Sequence, residues 1–424
     1  MQHTIYNRQF RQVVDLPYGA RLVSLMALTL LVAGCPEGQT QWGGRQEPGP
    51  SGGGTSSGYR RGPGLPRPEP EPPPPALKDV WPPRAIWVAR MTYRTPDDVV
   101  RVMDNCCRAG FNTVLFQVRG EGTVYYPSRI EPWGGEYANA PPNFDPLAVA
   151  CREAHRRKMA LHAWMNVMPA WRGDRPPTNP RQLYNAHPEW FWYDPQGHRQ
   201  PLGEFYLSLN PCLPDVRQYL AALSREIITR YPVDGLHLDY IRFPMDEVRK
   251  GVDYPYDRHT LALYREATGL RPQDNTAAWN RWRTEQVTGL VREIRAMHKQ
   301  ARPNLLLTAA CGPDLVEFKQ RYFQDGAAWL RVGLVDAVFV MNYNTSTAAF
   351  RKRQDAWRQA AGGRMVVAGI GEYMHKDDQT TTEQLRLAKQ WARGFALFSY
   401  QSLFTGEPAK QRRLAALGAL IAGR

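Results

Sequence analysis

Asp239 and Arg242 carry the most pointed chemistry in this sequence. They close the run Gly235-Leu236-His237-Leu238-Asp239-Tyr240-Ile241-Arg242-Phe243-Pro244, an apolar strand pattern that ends in an acid, an arginine and a proline stop. Such a strand delivers a carboxylate to a sheet edge, where the chain turns and a substrate can approach. Other strand-like runs end on Arg90; on Gln117, Arg119 and Glu121; on His162, Trp164 and Asn166; on Asp314; on Asn342 and Tyr343; on Glu372 and Tyr373; and on Tyr400. There is no Ser-His-Asp pattern, no phosphate-binding glycine loop and no H-E-x-x-H among them. Carboxylates mixed with aromatic, amide and guanidinium groups suit glycoside chemistry, in which two carboxyls do the acid, base or nucleophile work and donors hold sugar hydroxyls.

Asp239 is the first choice for a catalytic carboxylate. An arginine close by is expected to depress its pKa and keep it ionised, as a nucleophile or base requires. The bland alternative is a salt bridge to Arg242 at the sheet edge. Glu372 is the candidate acid, with Glu121 and Asp314 competing. The candidate substrate-binding set is Arg90, Gln117, Arg119, Glu121, His162, Trp164, Asn166, Arg242, Asn342, Tyr343 and Tyr400. His162 and Asn166 share one strand face with Trp164 between them. His162 reads equally well as a buried structural histidine, and its pairing with His237 as metal ligands is a weak option, so no metal or cofactor is expected.

The elements that must position these groups follow a regular rhythm. Strand patterns cover Ala85–Arg90, Thr113–Val118, Ala160–Asn166, Gly235–Ile241, Leu305–Cys311, Ala337–Tyr343, Met365–Gly371 and Phe395–Tyr400. Helical patterns separate them. Thr95-Pro96-Asp97-Asp98 opens one with an N-cap, a first-turn proline and acids at the positive end, and Gly110 stops it. Val216, Leu220, Leu223 and Ile227 line one face of another over Asp215–Arg230. Others cover Phe144–Lys158, Thr276–Lys299 and Ala409–Ala422, and a capping box is expected at Thr380 and Glu383. Eight strand–helix units over residues 84–424 predict an α/β (β/α)₈ barrel, a TIM barrel. A doubly wound sheet is the alternative, without its G-x-G-x-x-G fingerprint. A long aromatic loop, Met168 to Leu213, follows strand 3 and carries Trp171, Trp190, Phe191, Trp192, Tyr193, Phe205 and Tyr206; loops of this length are usually functional.

Residues 1–34 predict a lipoprotein signal peptide: Arg8, Arg11 and Arg21 precede an apolar stretch that ends Leu31-Val32-Ala33-Gly34-Cys35, too short to span a bilayer as a mature helix. Cys35 is then the lipidated first mature residue. Residues 35–80, rich in Gly, Pro, Ser and Arg, predict a disordered tether. The expected location is exported and lipid-anchored, on the periplasmic or outer-membrane side of a bacterial envelope. The chain carries 54 Lys and Arg against 40 Asp and Glu, a formal net charge of +14. No basic block is long enough for a nucleic-acid arm, so the charge reads as a solvated surface and no nucleic-acid partner is expected. Cys106, Cys107, Cys151, Cys212 and Cys311 show no metal-ligand spacing. Cys106, Cys107 and Cys151 are read as packing on apolar helix faces, with one disulfide between helices left open. A monomer is expected.

Several stretches match a known family in order: Arg84-Ala85-Ile86-Trp87, Gly110-Phe111-Asn112-Thr113-Val114-Leu115-Phe116-Gln117-Val118-Arg119, Tyr126-Pro127-Ser128, Leu161-His162-Ala163-Trp164-Met165-Asn166, and Val233-Asp234 followed by the run that ends at Pro244. From about Arg84 onward the chain resembles the glycosyl hydrolase-like family 10 proteins. The resemblance implies a (β/α)₈ barrel in the bacterial envelope, glycoside hydrolysis of a cell-wall or surface polysaccharide, in some members peptidoglycan glycan strands, and a functional aspartate at Asp239. It does not supply a glutamate at the Glu372 position, and the Glu121 position varies. The competing function is a non-catalytic glycan-binding lipoprotein on the same scaffold.

Overall fold

The computed structural model describes residues 72–244, 251–391, 393–405, 414 and 417–422. Eight parallel strands close a barrel: β1 (Arg84–Val88), β2 (Thr113–Arg119), β3 (Ala160–Asn166), β6 (Gly235–Asp239), β7 (Leu306–Cys311), β8 (Ala337–Met341), β9 (Met365–Ile370) and β10 (Phe395–Leu397), with β10 returning to β1. The expected (β/α)₈ barrel is the observed fold. Two further strands, β4 (Pro169–Gly173) and β5 (Gly203–Ser208), form an antiparallel hairpin. They lie in the Met168–Leu213 segment after β3, which the sequence reading takes as a long aromatic loop without strands.

Strand parity explains the core. In β3, Leu161, Ala163 and Met165 pack outward among the helix residues, so Ala160, His162, Trp164 and Asn166 face the barrel interior. In β6 the same alternation turns Gly235, His237 and Asp239 inward. The register aligns His162 with Gly235, Trp164 with His237, and Asn166 with Asp239. Asn166 and Asp239 therefore share the top rung at the C-terminal face, and His162 sits two rungs below. The lower contact is tight. A Cβ on Gly235 would lie 2.6 Å from His162 Nδ1, so only glycine admits the imidazole there.

The helices begin as local chemistry dictates. Thr95 caps Pro96–Arg108 through a reciprocal box with Asp98, and the helix ends before Gly110, whose φ is +89°. The Asp378–Gln390 helix departs from expectation. Its cap is Asp377, whose carboxylate accepts from the Thr380 amide, so Thr380 lies inside the helix. An ionised acid at a helix N-terminus gains from the dipole as well as from the hydrogen bond.

The described residues extend the domain upstream of Arg84, with a helical turn at Leu77–Val80 and Val80 buried. The signal peptide, Cys35 and most of the tether lie outside the described residues, as does half of the final helix; residues 414 and 417–422 are helical. The five described cysteines are free thiols, and Cys107 is exposed instead of packed.

Candidate active site

Asp239 ends β6 with only 6% of its surface exposed. Its Oδ2 accepts from the Trp164 indole N–H at 3.1 Å and its Oδ1 from the Tyr240 amide at 2.7 Å. Tyr240 adopts φ +49°, a left-handed conformation that turns the chain immediately after the acid. Burial pushes the Asp239 pKa above the ordinary carboxylate value, against the opposing pull of the Tyr240 amide, the Arg242 charge and the Trp164 indole. This corrects the expected depression by Arg242. The guanidinium does not dominate; it lies over the rings of Tyr240 at 4.8 Å and Tyr322 at 5.2 Å. Burial in a dry site outweighs the N–H donors that favour the ionised form, so the carboxyl keeps its proton to higher pH.

The barrel directly beneath is filled. Trp87 Nε1 donates to His237 Nε2 at 3.3 Å, and His237 Nδ1 pairs with Thr308 Oγ1 at 2.9 Å. Because an indole N–H only donates, Nε2 is the bare nitrogen and Nδ1 carries the proton. Burial holds the His237 pKa well below the ordinary value, so the ring is neutral. Both its nitrogens are engaged, which removes it from any pairing with His162 as a metal ligand. No cluster of three or more metal-ligating side chains occurs among the described residues.

A second charged group forms beside β1 and β2. Arg90, 1% exposed, meets Glu121 at 2.6 Å and Glu136 at 2.8 Å, while its backbone amide donates to Gln117 Oε1 at 3.1 Å. Tyr125 donates to Glu136 at 2.6 Å. Arg90 lowers the Glu136 pKa against the cost of burial. The hairpin joins this group to the acid. Tyr206 on β5 hydrogen-bonds to Arg90, and its ring packs edge-on against Tyr240 at 5.2 Å. Sequence reasoning missed Glu136, Tyr125 and Tyr240 and counted Tyr206 only as a loop aromatic. The one signal available for Glu136 is its place in the loop after β2, which a barrel directs to the C-terminal face.

Several expected contacts lie elsewhere. Arg119 is wholly buried, paired with Glu131 at 2.7 Å, and donates to the carbonyls of Asn166, Val167 and Pro169. It is a clamp on the end of β3 and does not face a substrate. His162 is on the bottom rung, away from Asp239. The Asn342 amide donates to the Phe350 carbonyl at 2.8 Å, and Tyr400 points toward the Pro96–Arg108 helix, bonding Asn105 at 2.8 Å. Asp314 is spent as the N-cap of Leu315–Arg321. Glu372 has no exposed surface and is separated from β6 by β7 and β8. Tyr343 packs against Phe398 at 5.5 Å and Trp87 at 6.3 Å. The residues brought together are Asp239, Trp164 and Asn166, and, through Tyr206, Arg90, Gln117 and Glu121. Asn166 is 1% exposed and its Oδ1 has no hydrogen-bond partner among the described residues.

Comparison with known proteins gives a consistent result. The family model described as glycosyl hydrolase-like 10 matches residues 82–393. The chain is similar to the glycosyl hydrolase DigH of Escherichia coli, 27% identical over 53% of this chain and 50% of DigH. It is also similar to the glycosyl hydrolase YngK of Bacillus subtilis, 24% identical over 69% of this chain and 61% of YngK. The chain spans about half to three-fifths of the length of these curated relatives. Among solved structures, the glycoside hydrolase domain of PgaB (BpsB) from Bordetella bronchiseptica aligns with a TM-score of 0.59 at 15% identity, over 81% of this chain and 99% of that domain. At that identity the likeness is one of fold.

Proposed function

Because this chain belongs to the glycosyl hydrolase-like 10 family, we propose that it hydrolyses glycosidic bonds in a bacterial cell-wall or surface polysaccharide, with peptidoglycan glycan strands as the first substrate to test. The observation that carries this reading is Asp239: a buried carboxyl at the C-terminal mouth of the barrel, held by two neutral N–H donors, with its pKa raised by burial. That state suits a general acid that gives its proton to the leaving glycosidic oxygen. Trp164 and the Tyr240 amide then hold the carboxylate that remains. Glu121 serves as the second carboxylate and Arg90 orients it. Glu372, fully buried just after β9, is not given a role in this reading. Asn166, one strand from Asp239 on the same rung, offers its free Oδ1 to a sugar hydroxyl.

Binding without cleavage is the competing reading, favoured by the ion pair that engages Glu121. The deciding experiment incubates wild-type and Asp239→Asn protein with purified peptidoglycan, with and without its stem peptides, and measures reducing ends and product mass. Hydrolysis that falls by about 10²–10⁴-fold in the variant supports the assignment. Equal turnover by the two proteins, or no turnover of any wall glycan by the wild type, sinks it. The anomer released first, read by NMR, separates carboxyls about 5–5.5 Å apart, which retain, from those about 6.5–9.5 Å apart, which invert. Anchoring at the envelope through Cys35 completes the reading and is supported by the Leu31-Val32-Ala33-Gly34-Cys35 sequence.

A further inference from the structure

A cavity of about 470 Å³ opens under the barrel, at the end opposite Asp239. Its floor is made by the first residues of β2, β3 and β7, and one wall is the stretch that leads into β1. The volume lies within the ~300–1,000 Å³ of ordinary ligand pockets. Six residues give it its chemistry: Trp81, Thr113, His162, Asp234, Arg302 and Asn304.

His162 is the unusual member. It is 1% exposed, lines the cavity, and makes no hydrogen bond to any described residue. Its Nδ1 lies against Gly235, and a buried imidazole left without a partner costs stability. The proteins that keep such groups usually satisfy them with water or ligand. The charges around it balance. Asp234 already holds His155 at 2.9 Å and the Leu161 amide at 2.7 Å. Arg302 donates to the carbonyls of Ile228 and Tyr231 at 3.3 and 3.1 Å. A cation finds its carboxylate occupied, and an anion finds its guanidinium turned to the backbone and an acid beside it. A purely apolar ligand would bury His162 without a partner, whereas the Thr113 hydroxyl already donates to Asn112 Oδ1 at 3.1 Å. What remains is a neutral ring with hydroxyls on its edge and an apolar face for the half-buried Trp81 indole.

We propose that this cavity is a second carbohydrate site, which holds one or two neutral sugar units against Trp81 with a hydroxyl on His162. The site is independent of hydrolysis at the mouth, because the interior between the two ends is filled by Trp87, His237 and Phe339. It would let the protein hold a glycan chain that it is not cutting.

The test uses the Asp239→Asn protein, so that turnover does not interfere. Glucose, N-acetylglucosamine, cellotriose and chitotriose are titrated by calorimetry. At least one is expected to bind saturably, with affinity lowered by about tenfold or more in Trp81→Ala and in His162→Leu and unchanged in Tyr206→Phe at the mouth. Asn304→Ala, at an exposed position, repeats the comparison where a buried substitution disturbs folding; it should weaken the same sugar. Failure of all four sugars to saturate overturns the proposal. So does binding that survives both Trp81→Ala and Asn304→Ala, which would place the sugar at the mouth.

Discussion

At the scale of single residues, the charge state of Asp239 is set by where the strand leaves it and less by its neighbour in sequence. Arg242 is three positions away, yet it stacks on Tyr240 and Tyr322, and burial dominates the carboxyl. Trp164 is the adjustable partner. Its indole N–H favours the ionised form, so Trp164→Phe should raise the Asp239 pKa further and displace the basic limb of the kcat/KM profile, where a general acid loses its proton, toward higher pH. A loss in kcat of about tenfold is expected, since a hydrogen bond to a charged group contributes about 1.5–3 kcal/mol. A profile that stays in place would show that Asp239 is not the titrating group. Asp239 and Trp164 were legible in the sequence because strand ends and period-two alternation are local. Glu136 was not, because its meeting with Arg90 depends on a loop closing across 46 residues.

At the scale of elements, Arg119 shows how one irregularity changes a side chain's role. Parity along an ideal β2 places Gln117 and Arg119 on the same face. The register with β3 slips between them, so that Gln117 pairs with Trp164 but Arg119 with Met165. A slip of one residue redirects every side chain beyond it. Arg119 accordingly reaches Glu131 and the carbonyls after β3 instead of the mouth. No pattern in the sequence announces that bulge. The rhythm of the eight barrel strands, by contrast, was readable, because turn residues and caps punctuate it locally, whereas the β4–β5 hairpin in the long loop was not. Gly235 joins the two kinds of information. Gly235→Ala should destabilise the fold by about 1–3 kcal/mol, the usual cost of overpacking, seen as a lower denaturant midpoint at unchanged slope. His162→Leu, which removes the rigid ring from that contact, should recover part of the loss.

At the scale of the whole molecule, buried histidines set the acid tolerance. Burial lowers the His162 pKa from 6.5 to about 4. The unfolded chain therefore takes up a proton between about pH 6.5 and 4 that the folded chain refuses. Stability is fully present above 6.5 and is lost as pH falls toward 4, by roughly 3 kcal/mol for this residue. His162→Leu should flatten that limb in melts taken from pH 7 to 4; a slope identical to wild type would remove His162 from the account. The second whole-molecule expectation concerns placement. Cys35→Ser should move the protein from the membrane pellet to the soluble fraction of a bacterial lysate, and retention in the pellet would refute lipid anchoring at Cys35. The basic balance of the chain was legible from composition alone, but composition could not say which acids lie buried among the 40 that offset it.

The filled barrel has one more consequence. With Trp87 and His237 closing the floor beneath it, Asp239 can exchange protons with water from one direction only. That direction is the mouth, which the proposed glycan substrate would occupy. Under the proposed role, an inverting cleavage would then replace the proton given to the leaving group only after the product has cleared, departure first and recharging second, whereas a retaining cleavage would return it from the attacking water while the glycosyl unit is still in place.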